Sequence, residues 1–312
     1  MPTLFYLIGL PGAGKSTWAK NNSNNNTIVV SSDELRIQLY NDVNDSEHSN
    51  EVFSNMYNIT RQLLLDNKNV IYDATGIGSK RRTSFLKQIK DINCKKIAVY
   101  FATHIFDCLD NNSNRDRVVN EDAINRMYKC LSIPMYHEGW DEIRIIGTRS
   151  TNYSFNLEDI DDYSSYEYFL DKSLTSECIN FPQDNPHHTL SLSRHMYYVY
   201  DYLRNNHRDK EVQIAALLHD IGKVECKFFK PGSRYANFYG HENVSAQLAI
   251  IYLLKTGMND KEIINIVTYI QLHMRLLNLQ DNIKAKEKFS KLVGDKIFNN
   301  LIEFRNADSL AK

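Results

Sequence analysis

The stretch Gly9-Leu10-Pro11-Gly12-Ala13-Gly14-Lys15-Ser16, directly behind the apolar run TLFYLI at 3–8, limits this chain more than any other feature. It satisfies G-x-x-x-x-G-K-[ST], and a helical pattern follows it. Glycines let backbone N–H groups close around phosphate oxygens, and the start of the next helix adds a favourable dipole. Such a loop needs a strand before it and a helix after it, so the chain must open with a β–loop–α unit. Gly12, Ala13, Gly14, Lys15, Ser16 and Thr17 are expected to bind ATP, with Lys15 on the β/γ phosphates and the Ser16 hydroxyl on Mg²⁺.

The next β-branched runs lie at 27–31, 69–73, 96–101 and 142–146, with helical patterns between them, as around 51–66 and 119–130. This alternation predicts a parallel sheet wrapped by helices. Ser31-Ser32-Asp33-Glu34-Leu35-Arg36 follows the second strand, where the carboxyl end of a sheet forms a crevice. Asp33 there can take a proton from an attacking hydroxyl, and Arg36 can hold an anionic acceptor; Asp33 as a plain helix cap is the alternative. Asp73 closes the third strand, either to orient Mg²⁺ or a neighbouring arginine or simply as a turn residue. Asn112-Ser113-Asn114-Arg115-Asp116-Arg117 suits a lid over transferring phosphates, although arginine clusters also serve as solvated faces.

From Thr151 the texture changes. No Lys or Arg occurs between Arg149 and Lys172, while Glu158, Asp159, Asp161, Asp162, Glu167 and Asp171 accumulate, which reads as an acidic linker over 151–184. Beyond it the pattern is helical at 193–205, 211–221, 241–256, 260–274 and 294–311, and seven of the ten histidines lie there. Adjacent His219 and Asp220 end an apolar run, where unpaired polar groups are costly, and a shared metal ion is the usual remedy. His195, His241, His273 and Asp308 are the candidate co-ligands, needed from several helices because consecutive helical residues point about 100° apart. Lys223 contacts substrate phosphate or merely complements a helix end.

Two domains suit 312 residues, namely 1–150 and 185–312 around the linker. A net charge of -1 excludes a global basic field for nucleic acid, leaving local clusters such as Lys80-Arg81-Arg82 and Lys223/Lys227/Lys230/Arg234. Five scattered cysteines without a CxxC suggest reduced thiols in a cytoplasmic protein. The apolar N-terminus is too short for a signal peptide or a membrane span.

The set Pro11–Ala19, Asp33/Arg36, Asp73-Ala74-Thr75 and Asn-Ser-Asn-Arg115 with Met127-Tyr128-Lys129 resembles the phage-type polynucleotide 5′-kinase family over residues 1–150. The resemblance implies an α/β P-loop kinase with a parallel sheet. Lys15 and Ser16 would sit on ATP, Asp33 would be the general base for a 5′-hydroxyl, Arg36 would hold acceptor phosphate and Arg115 the transferring phosphoryl, with Asp73 also functional.

The order His195, His219-Asp220, His241, His273, Asp308 resembles the HD phosphohydrolase superfamily, closest to the domains attached to CCA-adding tRNA nucleotidyltransferases. The resemblance implies an all-α HD domain with one ion on His195, His219, Asp220 and Asp308 and a second on Asp220, His241 and His273. Mn²⁺, Fe²⁺, Co²⁺, Ni²⁺ or Zn²⁺ suits such ligands. The chain stops four residues after Asp308, where relatives continue their helix. Together the halves imply a bifunctional RNA end-healing enzyme. It would phosphorylate 5′-OH ends of RNA or DNA with ATP and open 2′,3′-cyclic phosphates, leaving room for a separate RNA ligase. Its alternatives are a small-molecule kinase fused to a nucleotide phosphohydrolase, or a kinase governed by a non-catalytic HD sensor.

Overall fold

A computed structural model of the protein describes residues 1–312 apart from 116, 151–155, 172–174, 187–188 and 207. Asp116, Thr151 and Lys172, named above, and three of the seven histidines counted there (His187, His188 and His207) therefore lie outside the described residues. The chain divides into two compact units, Met1–Gly147 and Thr148–Lys312.

In the first unit all five expected strands form: β1 (Thr3–Ile8), β2 (Thr27–Ser31), β3 (Asn69–Asp73), β4 (Lys95–Phe101) and β5 (Glu142–Ile146). They pair in parallel in the order β2-β3-β1-β4-β5. Between them run α1 (Lys15–Asn22), α2 (Ser32–Tyr40), α3 (Ser49–Leu65), α4 (Ser79–Gln88), α5 (Ile105–Ser113) and α6 (Glu121–Cys130). Leu4, Tyr6, Leu7 and Ile8 of β1 are at most 1% exposed and include residues of both strand faces, as helices cover a parallel sheet on both sides. All strands end on one edge, so Gly9, Ser31 and Asp73 emerge side by side there.

The second unit is helical: α7 (Tyr163–Asp171), α8 (Leu192–Asn205), α9 (Lys210–Leu218), α10 (Lys223–Cys226), α11 (His241–Leu253), α12 (Asp260–Leu272), α13 (Arg275–Leu279), α14 (Ile283–Val293) and α15 (Asp295–Leu310). A short antiparallel hairpin, β6 (Phe228–Phe229) with β7 (Ala236–Asn237), interrupts it. Helices α9, α11 and α12 are apolar nearly all round and fill the centre.

The acidic segment reads as linker by its charge, yet α7 within it is packed. Tyr166 and Leu170, four apart and so on one face, are fully buried, and the Tyr166 hydroxyl donates to the Leu217 carbonyl at 2.7 Å. Its acids, half-buried Glu167 and exposed Asp171, flank that face. Three helices are shorter than expected: α9 stops at Leu218, α11 at Leu253 and α12 at Leu272. For α9 and α12 the missing residues include His219 and His273, whose side chains have other work.

Candidate functional site

At the carboxyl edge of the first unit, Gly12 and Gly14 take φ of +81° and +91° and turn the loop over the start of α1. The Lys15 ammonium donates to the Gly9 and Leu10 carbonyls at 3.0 and 2.8 Å, and the Asn111 amide donates to Gly12 O at 3.0 Å. Burial lowers the Lys15 pKa to about 8 against the pull of Asp73. Asp73 is itself raised by burial, opposed by Lys15 and by a hydrogen bond from Ser16. Lysine, hydroxyl and carboxylate thus meet at one point, a donor set that suits Mg²⁺ beside a triphosphate and is more than a turn residue requires.

Ser31, not Asp33, caps α2, accepting from the Asp33 and Glu34 amides. The Asp33 carboxylate therefore turns elsewhere. It faces Arg36 at 3.5 Å and pairs closely with Arg117. Arg36 is largely engaged by the fold: Nε donates to Asp45 O at 2.8 Å and Nη1 to Ser32 O at 3.1 Å. Arg115 lies near enough to Lys15 and Asp73 for its charge to lower both pKa values. Arg117 was missed because RDR offers two arginines and spacing cannot choose between them.

Also unforeseen is a cleft of about 900 Å³ between α3 and α4, lined in part by Phe53, Tyr57, Tyr72, Arg81 and Met127. Arg81 stacks over Phe53 at 4.4 Å, and Arg36 approaches the same ring at 5.9 Å, so the cleft adjoins the Asp33 side of the edge.

In the second unit the six expected side chains converge. His195 Nε2 lies 3.3 Å from Asp220 Oδ2 and 3.1 Å from Asp308 Oδ1; His219 Nε2 lies 3.3 and 3.7 Å from the same atoms. The other Asp220 oxygen, Oδ1, faces His241 Nε2 at 3.1 Å and His273 Nε2 at 3.6 Å. One carboxylate therefore looks toward two histidine pairs.

The rings are held from behind. The Nδ1 atoms of His219, His241 and His273 meet the carbonyls of Ala216, Phe238 and Ile270, each three residues upstream, and His195 Nδ1 meets Ala311 O. A carbonyl only accepts, so each Nδ1 carries a proton and each ring turns its Nε2 inward. Inside, Nε2 atoms lie 3.3 Å apart (His195, His219) and 3.2 Å apart (His241, His273), and buried Asp220 Oδ1 receives no hydrogen bond. Crowded ring nitrogens of this kind call for a cation, and backed imidazoles with carboxylates are a transition-metal donor set. The charge balance agrees. Burial pulls His219 down, yet Asp220 and Asp308 outweigh it and raise it to about 9, while burial and His219 push His273 to about 3. Burial raises Asp220, but His219 and Lys223 hold it well below the usual carboxylate range. Asp308 sits two residues before the end of α15, a 16-residue helix that holds it in place.

Lys223 is the first residue of α10, a helix of a single turn. Its buried ammonium meets Asp220 Oδ2 at 2.6 Å and donates to Gln183 Oε1 at 2.8 Å.

A parallel sheet with a phosphate loop behind its first strand, and a helical unit gathering four histidines and two aspartates, define a P-loop domain followed by a helical domain with a candidate metal centre. Comparison with known proteins makes this specific. Residues 4–134 match the AAA domain family and residues 187–311 the HD domain family. The chain is an AAA domain of the P-loop kinase-like kind followed by an HD domain. Among solved structures, it is similar to a chain of the Pnkp1/Rnl/Hen1 RNA repair complex (22% identity, TM-score 0.37, covering 40% of this chain and 42% of that one). It is also similar to a chain of a Pnkp1/Rnl/Hen1 complex (21% identity, TM-score 0.32, covering 50% of each). These matches span half or less of the solved chains. Among the described residues no helix is long and apolar enough to cross a membrane.

Proposed function

We propose that the protein heals both ends of broken RNA, adding phosphate to a 5′-hydroxyl and opening a 2′,3′-cyclic phosphate. Carrying this reading is Asp220, which turns one oxygen to each histidine pair in a unit joined to a phosphate-binding loop. In the first unit Lys15 and Arg115 hold the triphosphate, and Asp33, paired with Arg117 and Arg36, accepts the proton of the attacking hydroxyl. The cleft beside Phe53 leaves room for the nucleoside that bears it. In the second unit Asp220 and Asp308 set the negative charge, the four imidazoles would hold one or two divalent ions with them, and Lys223 pairs with the substrate phosphate beside Asp220. When bound, such ions supply an activated water and neutralise phosphate oxygens, as Mg²⁺ neutralises the triphosphate in the first unit. Healed ends of this kind are what a separate RNA ligase joins.

The test uses the full chain. A 5′-OH RNA oligonucleotide with γ-labelled ATP and Mg²⁺ should acquire label, and a 2′,3′-cyclic nucleotide with Mn²⁺ or Ni²⁺ should open to a monoester. Labelling of free nucleosides but of no oligonucleotide would overturn the first half, and intact cyclic phosphate with every metal the second.

A further inference from the structure

The β6–β7 hairpin is an odd companion for a buried metal-ligand cluster. Only two residue pairs hold its ladder, Phe228 with Asn237 and Phe229 with Ala236, yet its surface is aromatic. Phe228, Phe229, Tyr235 and Tyr239 are 37%, 49%, 41% and 62% exposed. Cations alternate with these rings: Lys230 lies 5.4 Å over Tyr239, Arg234 lies 5.0 Å over Tyr235, and Lys227 lies 5.9 Å from the Phe229 ring. Lys227 is paired with Asp184 at 2.6 Å, but among the described residues no carboxylate lies within ion-pair distance of Lys230 or Arg234. A platform of open ring faces bordered by unneutralised cations fits bases and phosphates together, whereas an apolar protein partner would leave those cations stranded.

Both ends of the hairpin start from the cluster. Asp220 and Lys223 stand shortly before Phe228, Lys223 lies 5.5 Å from the Phe238 ring, and Tyr239 is two residues from His241, whose Nδ1 is held by Phe238 O. Whatever lies on Phe229 and Tyr239 therefore leads to Asp220.

We infer that this hairpin is a stacking platform for the last nucleotides of a single-stranded RNA 3′ end, so that the HD unit selects a polymer end over a free nucleotide. The choice of RNA, and of its 3′ end, rests on the phosphoesterase reading above, since a cyclic 2′,3′-phosphate requires a 2′-hydroxyl. Stacking itself does not depend on that reading.

The experiment compares the full chain with two double variants, Phe229→Ala/Tyr239→Ala and Lys230→Gln/Arg234→Gln, each checked for an unchanged melting profile. With Mn²⁺, hydrolysis of 2′,3′-cyclic AMP should stay within about two-fold of wild type, while KM for a ten-nucleotide RNA with a cyclic end should rise about 10–100-fold in the aromatic variant. Equal effects on both substrates, or none on the oligonucleotide, overturn the inference. A second arm measures fluorescence anisotropy of an unreactive labelled single-stranded RNA. Affinity should fall at least about ten-fold in the aromatic variant, and the salt slope by about 1.4 in the Lys230/Arg234 variant. If wild type hydrolyses neither substrate, the phosphoesterase reading fails and this arm alone decides. RNA affinity unchanged in both variants would overturn the platform and leave the hairpin a protein-docking surface.

Discussion

Gly12 and Gly14 share a left-handed backbone but not a neighbourhood. A Cβ on Gly12 would stand 2.1 Å from the Cys108 carbonyl oxygen, which is backbone and cannot step aside; a Cβ on Gly14 would meet nothing within 4 Å. Gly14→Ala therefore incurs only the conformational penalty, about 1–2 kcal/mol. Gly12→Ala adds a clash, and should lose more stability and nearly all ATP binding. Urea unfolding read by tryptophan fluorescence reports this unit alone, because both tryptophans, Trp18 and Trp140, belong to it. Equal losses in the two variants would contradict the packing described for Gly12. At this scale the sequence was most legible where chemistry restricts residue type. Lysine and serine after spaced glycines suit a phosphate and little else, and His next to Asp behind an apolar run suits a metal ion. Arg117 was illegible because nothing in RDR says which arginine turns toward Asp33. The Lys223 contact was hidden because the residue's place at the start of α10 depends on where α9 stops.

Elements were legible to the degree that their pattern came from burial. The inner strands of the sheet are short, largely apolar runs, so their bounds follow closely from the layer they occupy. Helix ends followed less well, since His219 and His273 turn off their helices to bond a carbonyl three residues back. Acidic residues of α7 concealed the Tyr166–Leu170 stripe beside them. One inter-element tie left no sequence signal at all. Arg82 of α4 is fully buried and binds Glu138 through Nε at 2.8 Å and Nη2 at 2.6 Å, while its Nη atoms donate to the carbonyls of Gly76, Ser132 and Ile133. Glu138 also accepts from the Trp140 indole at 3.0 Å. The pair fixes the loop after β3, which walls the cleft, to the segment before β5. Breaking a buried pair from one side costs about 3–5 kcal/mol. Arg82→Met strips the buried Glu138 carboxylate of its cation and removes the donor to three carbonyls, so it should reach the top of that range. Glu138→Gln keeps an acceptor for Arg82 and for Trp140 and should cost less. Denaturant midpoints followed by tryptophan fluorescence would measure both. A change below about 1 kcal/mol for Arg82→Met would show the tie to be dispensable.

Over the whole molecule, net charge carries almost no information, since at -1 it conceals both the carboxylates around the histidines and the cations along the hairpin. What organises function is where chemistry falls in the chain. Every group placed at the phosphate loop lies within Met1–Gly147, and every histidine and aspartate of the cluster within Thr148–Lys312. Each site is therefore complete without a residue from the other unit, and damage should be confined. Lys15→Ala should reduce ATP-dependent phosphorylation of a 5′-OH oligonucleotide at least about 100-fold while cyclic phosphate hydrolysis stays within about two-fold. Asp220→Asn keeps the shape of the carboxylate but removes the charge that faces four imidazoles and Lys223. It should abolish hydrolysis, and lower Mn²⁺ content, with phosphorylation unaffected. Asp220→Asn is preferable to alanine because alanine would leave the Lys223 ammonium buried beside an empty space, where unfolding would mimic loss of chemistry. Assaying both reactions and bound manganese on one preparation separates the outcomes. Joint loss of both activities with Asp220→Asn would mean that the kinase reaction requires the second unit, and the assignment of one reaction to each unit would have to be abandoned.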